Sequence, residues 1–307
     1  MPHDIVILGV FVADAAFRCE RLPRLGETLI GTGFSLGPGG KGSNQAVAAA
    51  KAGGDVGFIA RIGSDTFGDM GLATWAEAGV TPMVIRDAER ATGAAGIFIE
   101  GGTGRNAIVI SPGAAAAITL ADVEAEAATI AAAKVAVTQL EQPVDVAHRF
   151  LQIAAAGGAA TILNPAPAAA LPGGMLALCD YVTPNEAEAE ALTGIAVTDR
   201  ASAAEAAGAL LAQGVRLAAV ITLGGNGALV RDAGGVRHIP ALDAGPVVDT
   251  TGAGDAFNGG FACALAQGMA LDDALRLATA VAALSVTKEG TAASMPGRAE
   301  IAALLAR

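Results

Sequence analysis

The feature of the sequence that most limits its fold is a regular alternation of short apolar runs with helical segments. The first run, residues 4–10 (DIVILGV), is almost wholly apolar, as expected of a strand buried on both faces. Helices that separate such strands indicate parallel pairing, because a parallel connection must cross over one face of the sheet. Further strands are predicted at 56–61, 135–140, 160–163, 181–183 and 217–223. The sequence therefore predicts an α/β fold, with a mostly parallel sheet covered by helices on both faces.

The helices are predicted from segments of small and apolar residues between these strands. Gly79 gives one of them, residues 65–78, a stop signal. A short strand at 246–248 is expected to precede a buried helix at 256–267, and one or two more helices close the chain. The remaining predicted helices are 43–52, 119–132, 144–156, 185–192 and 201–213.

Pairs of short segments predict three β-hairpins. The pairs are 16–20 with 28–34, 94–100 with 106–110, and 228–231 with 236–239. The second pair is joined by Gly101-Gly102-Thr103-Gly104, a sequence typical of turns. We expect the first two hairpins to form a small β lid over the sheet edge, at about residues 11–36 and 94–111. Since no linker or repeat divides the chain, residues 1–307 are predicted to form a single domain that carries this lid.

Composition limits the partners and the compartment. A net charge of −11 and a pI near 4.7 argue against a nucleic-acid or anionic membrane surface. The uncharged run at 150–179 is interrupted by glycines and prolines, so a membrane-spanning helix is not expected there. The N-terminus has no basic stretch typical of a signal peptide, and Cys19, Cys179 and Cys263 match no zinc spacing. A cytoplasmic protein is the expectation.

One glycine-rich stretch, residues 248–257 (VDTTGAGDAF), is the strongest candidate for the chemistry. Gly252, Ala253 and Gly254 allow a tight turn that leads into a helix, where backbone N–H groups and the helix dipole favour an anion. Asp255 then lies at the mouth of an anion site. It could take a proton from an alcohol while the turn holds a phosphoryl group. An ordinary N-cap aspartate explains the same residues equally well, and both interpretations stay open here.

A second glycine-rich segment, residues 39–46 (GGKGSNQA), comes before a predicted helix. Its glycines permit close approach of a ligand to the backbone, and Lys41 and Asn44 offer hydrogen-bond donors to hydroxyl groups. It is not a Walker A loop, because Gly42 stands where that motif has Ser or Thr after the lysine. A flexible connection between strand and helix is the alternative.

Polar residues follow several of the predicted strands, where ligands bind in open α/β sheets. Glu141 could accept a hydrogen bond from a sugar hydroxyl, and Asn164 could help hold a phosphate, although either could be a plain loop residue. Asn185 and Glu188 lie on one face of a first helical turn, where capping is the simpler explanation and ordering of Mg²⁺ the functional one. Thr222 to Gly227 (TLGGNG) could hold triphosphate oxygens or be a plain hairpin turn. His3, His148 and His238 receive no catalytic role, since no nucleophile context accompanies them.

Taken together, these motifs resemble the ribokinase branch of the PfkB carbohydrate-kinase family, from Gly9 to Pro296. GGKGSNQA is similar to the first family signature and DTTGAGDAF to the second, with LEQP, LNPAPA, TPNEAEAE and TLGGNGA between them in order. The resemblance implies a three-layer sandwich with a β lid. It also implies ATP-dependent transfer of a phosphoryl group to a primary sugar alcohol. Asp255 would be the base, and Gly252, Ala253 and Gly254 the anion hole.

The resemblance also implies binding roles for other residues. The sugar would be held by Asp14, Gly40, Lys41, Asn44, Glu141 and Asp255. The nucleotide would be faced by Asn185, Thr222, Gly224, Gly227, Gly254 and Thr279. Glu188 would order Mg²⁺ through water. A monovalent cation such as K⁺ would lie among Asp249, Thr251, Ser285, Lys288, Gly290 and Ser294, held mostly by carbonyl oxygens. Two copies would form a homodimer through their lids.

One position departs from the family pattern. The ribose-binding pattern has an asparagine two residues before Asp14, and this chain has Val12 there. An unpaired polar group in a closed site costs about 1–3 kcal/mol, which is enough to change substrate preference. The 5-hydroxyl of D-ribose remains the expected acceptor, because the other sugar-side positions match. The alternatives are a kinase for 2-deoxyribose, another sugar or a nucleoside, and, from a different class, a non-catalytic sugar-binding regulator.

Overall fold

The computed structural model describes residues 3–102 and 105–307. Its main sheet has nine strands. In chain order, they are β1 (Ile5–Leu8), β4 (Val56–Gly63), β5 (Thr81–Asp87), β8 (Val135–Thr138), β9 (Ala160–Leu163), β10 (Tyr181–Val182), β11 (Ala218–Thr222), β12 (Ala228–Asp232) and β13 (Gly235–Ile239). Their spatial order is β13-β12-β11-β10-β9-β8-β1-β4-β5, and pairing is parallel from β5 to β11 and antiparallel beyond it. The predicted α/β class with a mostly parallel sheet is confirmed.

Helices cover both faces of this sheet. They are α1 (Lys41–Lys51), α2 (Thr66–Ala78), α3 (Leu120–Ala125), α4 (Ala127–Ala132), α5 (Val144–Gly157), α6 (Glu186–Thr193), α7 (Arg200–Ala212), α8 (Ala253–Ala266), α9 (Leu271–Ser285) and α10 (Arg298–Leu305). Strand β1 shows why its sequence is apolar throughout. Ile5 and Ile7 belong to the core on one face, and Val6 and Leu8 belong to the core on the other. Among the described residues, no helix is both long and apolar enough to cross a membrane.

A second, four-stranded sheet stands beside the main one. It consists of β2 (Val12–Cys19), β3 (Gly33–Gly39), β6 (Thr92–Glu100) and β7 (Asn106–Gly113), in the order β3-β2-β6-β7. Strand β2 pairs antiparallel with β3 and parallel with β6, and β6 pairs antiparallel with β7 as predicted. Part of the predicted turn between β6 and β7, Thr103 and Gly104, lies outside the described residues. That this sheet acts as a lid, with the bounds given above, stays a prediction.

The predicted partner of the first lid strand, residues 28–34, is wrong. The strand begins at Gly33 and runs to Gly39, a segment whose glycines and Pro38 are typical of turns rather than strands. The structure explains the last glycine. A β-carbon at Gly39 would lie 2.2 Å from Asp14 Oδ2, so only glycine leaves room for that carboxylate on the neighbouring strand.

Other boundaries also differ from the prediction. The segment 246–248 forms no strand, and its Val247 and Val248 are largely exposed. The predicted helix at 119–132 is two helices, α3 and α4, separated at Glu126, and nothing in the structure explains this break. Strand β5 was not predicted because Pro82 and several polar residues hide its pattern at the edge of the sheet.

Close backbone contacts bring α1 against both β1 and α8. A β-carbon at Gly42 would lie 2.6 Å from the Gly9 Cα, just beyond β1. A β-carbon at Gly259 of α8 would lie 2.6 Å from the carbonyl oxygen of Gln45 in α1. These glycines therefore allow α1 to pack directly on α8, and this packing places the polar residues of α1 beside Asp255.

Candidate active site

The polar residues that follow the parallel strands meet at the carboxyl edge of the sheet, as their positions predict. Together with the start of α1 and the start of α8 they enclose a cavity of about 170 Å³. Its lining includes most of the predicted nucleotide and anion residues. The lining residues are Lys41, Asn164, Ala166, Thr183, Asn185, Glu188, Thr222, Thr250, Gly252, Ala253, Gly254, Asp255 and Asn258.

The glycine-rich turn at the start of α8 has the geometry expected of an anion site. Gly252 is the N-cap residue and adopts a left-handed conformation with φ of 80°, which favours glycine. Ala253 and Gly254 begin the helix, which starts three residues before the predicted start at 256. The first amides of a helix have no intrahelical acceptor, so those of α8 point toward the cavity end of the helix axis.

Asp255 is not the N-cap of this helix, so the capping interpretation is wrong. It is the third helical residue, and its carboxylate is only 6% exposed. Asn44 Nδ2 donates to Oδ2 over 3.0 Å and Gln45 Nε2 donates to Oδ1 over 3.1 Å. Burial raises the pKa of Asp255, whereas the charge of Lys41 and these two hydrogen bonds lower it. The Asp255 carboxylate is thus held in place by two side chains of α1, and it is shielded from water next to the cavity.

On the predicted sugar side, Lys41 and Glu141 are joined directly. The backbone N–H of Lys41 donates to Glu141 Oε2 over 2.8 Å. Burial raises the pKa of Glu141 to about 7, although the Lys41 charge and this hydrogen bond lower it. Burial also lowers the pKa of the Lys41 amine, but Asp255 and Glu141 raise it, so the net shift is upward.

Asp14 and Gly40 complete this side. Burial, with a smaller contribution from Asp255, raises the pKa of Asp14 to about 6. Gly40 precedes α1 with φ of 89°, and a β-carbon there would lie 2.5 Å from the carbonyl oxygen of Val10. Any larger residue would push the start of α1 away from β1. GGKGSNQA is therefore mostly helix, since α1 begins at Lys41 rather than at residue 43.

On the predicted nucleotide side, the capping interpretation of Asn185 and Glu188 is confirmed. Asn185 caps α6, accepting from the Glu188 N–H, and the Glu188 carboxylate accepts from the Asn185 N–H, each over 2.9 Å. Both also line the cavity, and burial raises the pKa of Glu188 despite the hydrogen bond from Asn185. Capping and a ligand role are therefore compatible, because the cap aims both side chains at the cavity.

The other nucleotide residues are placed less uniformly. Thr222 ends β11 and lines the cavity, and Gly224 and Gly227 lie in the tight turn to β12. Gly227 adopts φ of 85°, and a β-carbon there would lie 2.1 Å from the Ile239 carbonyl oxygen. Thr279 lies in α9, buried, with its hydroxyl donating to the Leu275 carbonyl over 2.9 Å, and it does not line this cavity as the structure describes it.

The predicted cation residues form a loop beside the turn. Asp249 Oδ1 accepts from the Thr251 N–H over 2.9 Å, and Oδ2 accepts from the Gly290 N–H over 3.1 Å. The side chains of the other three are engaged elsewhere: Ser285 donates to Ala282, Ser294 to Thr291, and the Lys288 amine to Glu300. The structure therefore brings Asp249, Thr251 and Gly290 together, whereas the side chains of Ser285, Lys288 and Ser294 have other partners.

Sequence reasoning missed a set of buried amides in and next to the cavity. Gln45 and Gln139 are fully buried, and Asn258 is 1% exposed. Asn258 lies one turn after Gly254 and donates to its carbonyl over 2.8 Å, and the Thr183 hydroxyl donates to Asn258 Oδ1 over 2.6 Å. Polar residues inside segments that are otherwise apolar were the available signal.

Comparison with known proteins agrees with this arrangement. A family model described as pfkB family carbohydrate kinase matches residues 2–298. The ribokinase of Haemophilus influenzae is 39% identical over 98% of this chain and 97% of its own. The deoxyribokinase of Salmonella typhi is 34% identical over 95% of each chain. The structure of Arabidopsis thaliana ribokinase complexed with ribose and ATP has a TM-score of 0.91 and 30% identity, covering 99% of both chains. The expected ribokinase-like fold is thereby confirmed.

Proposed function

Because this chain belongs to the pfkB family of carbohydrate kinases, we propose that it transfers the terminal phosphoryl group of ATP to the 5-hydroxyl of D-ribose. The observation that carries this proposal is the placement of Asp255. A buried carboxylate is held by two hydrogen bonds from α1 at the first turn of α8, where backbone amides favour an anion. The non-catalytic alternative is set aside, since the relatives named ribokinase span nearly the whole chain.

The proposed step needs one base and one anion site. The hydroxyl O–H bond breaks, its proton passes to the Asp255 carboxylate, and the oxygen forms a bond to the terminal phosphorus. The bond from that phosphorus to the bridging oxygen breaks, and ADP leaves. Gly252, Ala253 and Gly254 would supply the amides that stabilise the transferring group, and the Lys41 amine would balance its charge.

Asp14, Gly40, Lys41, Asn44 and Glu141 are proposed to hold the sugar. Asn44 supports this assignment, because its Nδ2 binds Asp255 while its buried Oδ1 has no partner among the described residues. A sugar hydroxyl that donates to Oδ1 would satisfy it. Asn185, Thr222, Gly224, Gly227 and Gly254 are proposed to face the nucleotide. Thr279 would do so from α9, outside the cavity described above.

Two metal ions are proposed with the nucleotide. The residues available are oxygen donors, which suit hard cations such as Mg²⁺ and K⁺. Glu188 would order Mg²⁺ through its water shell, and the loop of Asp249, Thr251, Ser285, Lys288, Gly290 and Ser294 would hold K⁺ mostly by carbonyl oxygens. Mg²⁺ neutralises phosphate charge during the transfer. Rates that are equal with and without K⁺ would count against the cation loop.

Asp255→Ala tests the proposed base. We expect the variant to fold and to bind ribose but to lose nearly all turnover, since removal of a general base costs a factor of about 10² to 10⁴. The measurement is ADP release in a coupled assay with ribose and ATP, beside a thermal unfolding curve. Ordinary turnover by a folded Asp255→Ala variant would refute the assignment.

A second candidate acceptor is 2-deoxyribose, favoured by Val12. This side chain is 9% exposed on β2, two residues before Asp14, and cannot form a hydrogen bond to a hydroxyl. A panel of ribose, 2-deoxyribose, fructose and adenosine separates the candidates, because the true acceptor combines high kcat with low KM. If kcat/KM is higher for 2-deoxyribose than for ribose, 2-deoxyribose is the substrate and the assignment of ribose is refuted.

The β lid is proposed to join two copies as a homodimer. Exposed apolar side chains lie along the four-stranded sheet: Phe17, Phe34, Leu36, Ile108, Val109 and Ile110. Burial of such a surface is a common reason for assembly. Sedimentation at working concentration tests this, and a wild-type monomer would contradict it. A cytoplasmic location is also proposed, because ATP is the donor and the three cysteines are free.

A further inference from the structure

A buried amide on α1 connects Asp255 to the backbone beyond β10. Gln45 Nε2 donates both of its hydrogens, to Asp255 Oδ1 over 3.1 Å and to Asn164 Oδ1 over 3.0 Å. Gln45 Oε1 accepts from Gln139 Nε2 over 2.6 Å. The side chain is completely buried. Since both hydrogens and the oxygen are used inside the protein, Gln45 is built to hold other residues rather than a ligand.

The orientation of this amide is set by the main chain. The Thr183 carbonyl can only accept, so Asn164 turns Nδ2 toward it, at 3.1 Å, and presents Oδ1 to Gln45. Gln45 must then direct Nε2 at two acceptors, the Asn164 oxygen and the Asp255 carboxylate. Rotating the amide by half a turn would place oxygen against oxygen at both contacts and lose both hydrogen bonds. The orientation is therefore fixed before any ligand arrives.

Thr183, whose carbonyl orients Asn164, also anchors the glycine-rich turn of the anion site through its side chain. The Thr183 hydroxyl donates to Asn258 Oδ1 over 2.6 Å, and Asn258 Nδ2 donates to the Gly254 carbonyl over 2.8 Å. One arm of hydrogen bonds thus runs from Thr183 to Asp255 and another from Thr183 to the turn that carries the amides. Thr183 therefore fixes the position of Asp255 relative to the glycine-rich turn.

We infer that Gln45 is a positioning residue for the phosphoryl transfer: it fixes the direction of the Asp255 carboxylate and favours its ionised form. The inference rests on the proposed role of Asp255 as the base. A carboxylate whose Oδ1 is engaged by Gln45 and whose Oδ2 is engaged by Asn44 cannot swing away from the α8 turn. Its remaining lone pairs are left for the incoming alcohol.

Charges from several elements also act on Asp255. They belong to Lys41 on α1, Asp14 on β2, Glu141 after β8 and Glu188 on α6. Lys41 lowers the pKa of Asp255, and the charge of Asp255 raises the pKa of Asp14, Glu141 and Glu188. Gln45 is neutral, so its effect on the pKa of Asp255 comes from a hydrogen bond to the charged form. Loss of that bond raises the pKa and leaves the base protonated at higher pH.

The test compares Gln45→Met with a matched change, Gln142→Met, in the full chain. Gln142 is also buried and donates from Nε2 to Thr138 Oγ1 and to the Gln139 carbonyl, both over 2.7 Å, but does not contact Asp255. In Gln45→Met we expect kcat at neutral pH to fall by about tenfold or more, and KM for ribose to change less. The acid limb of the kcat–pH profile should move up by about one pH unit. In Gln142→Met the limb should keep its wild-type position, whatever happens to stability.

An acid limb that is unmoved in Gln45→Met, or equally moved in Gln142→Met, overturns the inference. If Gln45→Met does not fold, Gln45→Asn replaces it, because it buries a neutral amide in the same place but is one methylene shorter and so withdraws the donor from Asp255. An unmoved limb in that variant overturns the inference as well. The two proposals fail separately. An active Asp255→Ala variant would refute the assignment of Asp255 as the base. An inactive Asp255→Ala variant, together with an acid limb in Gln45→Met that stays at its wild-type position, would refute only the role of Gln45.

Discussion

The contact between Gly9 and Gly42 gives the most direct test of how the backbone sets the site. In Gly42→Ala, the new β-carbon would lie 2.6 Å from the Gly9 Cα and 2.9 Å from Gln139 Oε1. Ordinary contact begins at 3.4 Å, so α1 must retreat from β1 by about 0.8 Å. The nearest atom is main chain, which cannot rotate aside, and the strain is therefore passed to the helix.

The consequence for the site follows from the hydrogen bonds that α1 makes. Asn44 and Gln45 hold Asp255 over 3.0 and 3.1 Å, and both lie on α1, so a shift of the helix by about 0.8 Å would lengthen or misalign these hydrogen bonds. A displacement of about 1 Å in an active site can cost a factor of about 10² in rate. Overpacking of this kind destabilises by about 1–3 kcal/mol. We therefore expect a folded protein whose melting temperature falls by a few degrees and whose kcat falls by about 10².

The assay is steady-state ADP release with ribose and ATP, beside thermal unfolding of the same preparation. Gly173→Ala is the control, because Gly173 is exposed and a β-carbon there would meet nothing within 4 Å. The control should match wild type in both measurements. Wild-type kcat in Gly42→Ala would show that α1 is not held against β1 as argued, and would refute the link between this contact and Asp255.

Two further predictions follow from buried polar groups. Because burial raises the pKa of Glu141 to about 7, ribose should bind more weakly as the pH falls from about 8 to about 6, where Glu141 becomes protonated and no longer accepts as a carboxylate. Calorimetric titration across this range measures the effect. Glu141→Gln should bind weakly and lose the pH dependence centred near 7, keeping only the dependence centred near 6 that comes from Asp14. A pH-independent wild type would contradict the reasoning. Trp75→Phe should lower the free energy of unfolding by about 1–3 kcal/mol, because it leaves Ser43 Oγ without the indole N–H that donates to it over 2.9 Å in the core. Urea unfolding measures that loss, and a stability equal to wild type would show that the buried hydrogen bond contributes nothing.

The sheet was predictable from sequence because a strand buried on both faces requires a continuous run of apolar residues. Ile5 to Leu8 must all be apolar wherever the chain folds this way, and the strands at 135–140, 160–163 and 217–223 carry the same signal. Two strands that lack this constraint were missed or misplaced. β5 lies at the sheet edge, and β3 contains three glycines, of which Gly39 is required by the Asp14 carboxylate rather than by the strand.

The site was predictable only as far as local motifs reach. Lys41, Asn185, Thr222 and Asp255 meet at one cavity because each lies at a strand end or helix start, which sequence patterns reveal. Gln45 could not be assigned in this way. Its partners lie 94, 119 and 210 residues away in the chain, so the meaning of a glutamine inside GGKGSNQA depends on packing that no local pattern records.

The acidic residues at the site indicate that it is arranged for ligand binding, at a cost to the stability of the protein without ligand. The pKa values of Asp14 and Glu141 rise to about 6 and about 7 from ordinary values of 3.8 and 4.5. The folded chain therefore binds protons that the unfolded chain releases, so these two groups reduce stability as the pH rises from about 4 to about 7. Apolar side chains in their places would remove this cost. Under the proposed function, hydrogen bonds from sugar hydroxyls would favour the charged carboxylates, and a bound sugar would offset what their burial costs. The placement of Glu141, Glu188 and Asp255 around the Lys41 amine, with Asp14 beside Asp255, is therefore better explained by recognition of a polyhydroxyl substrate than by any contribution to folding.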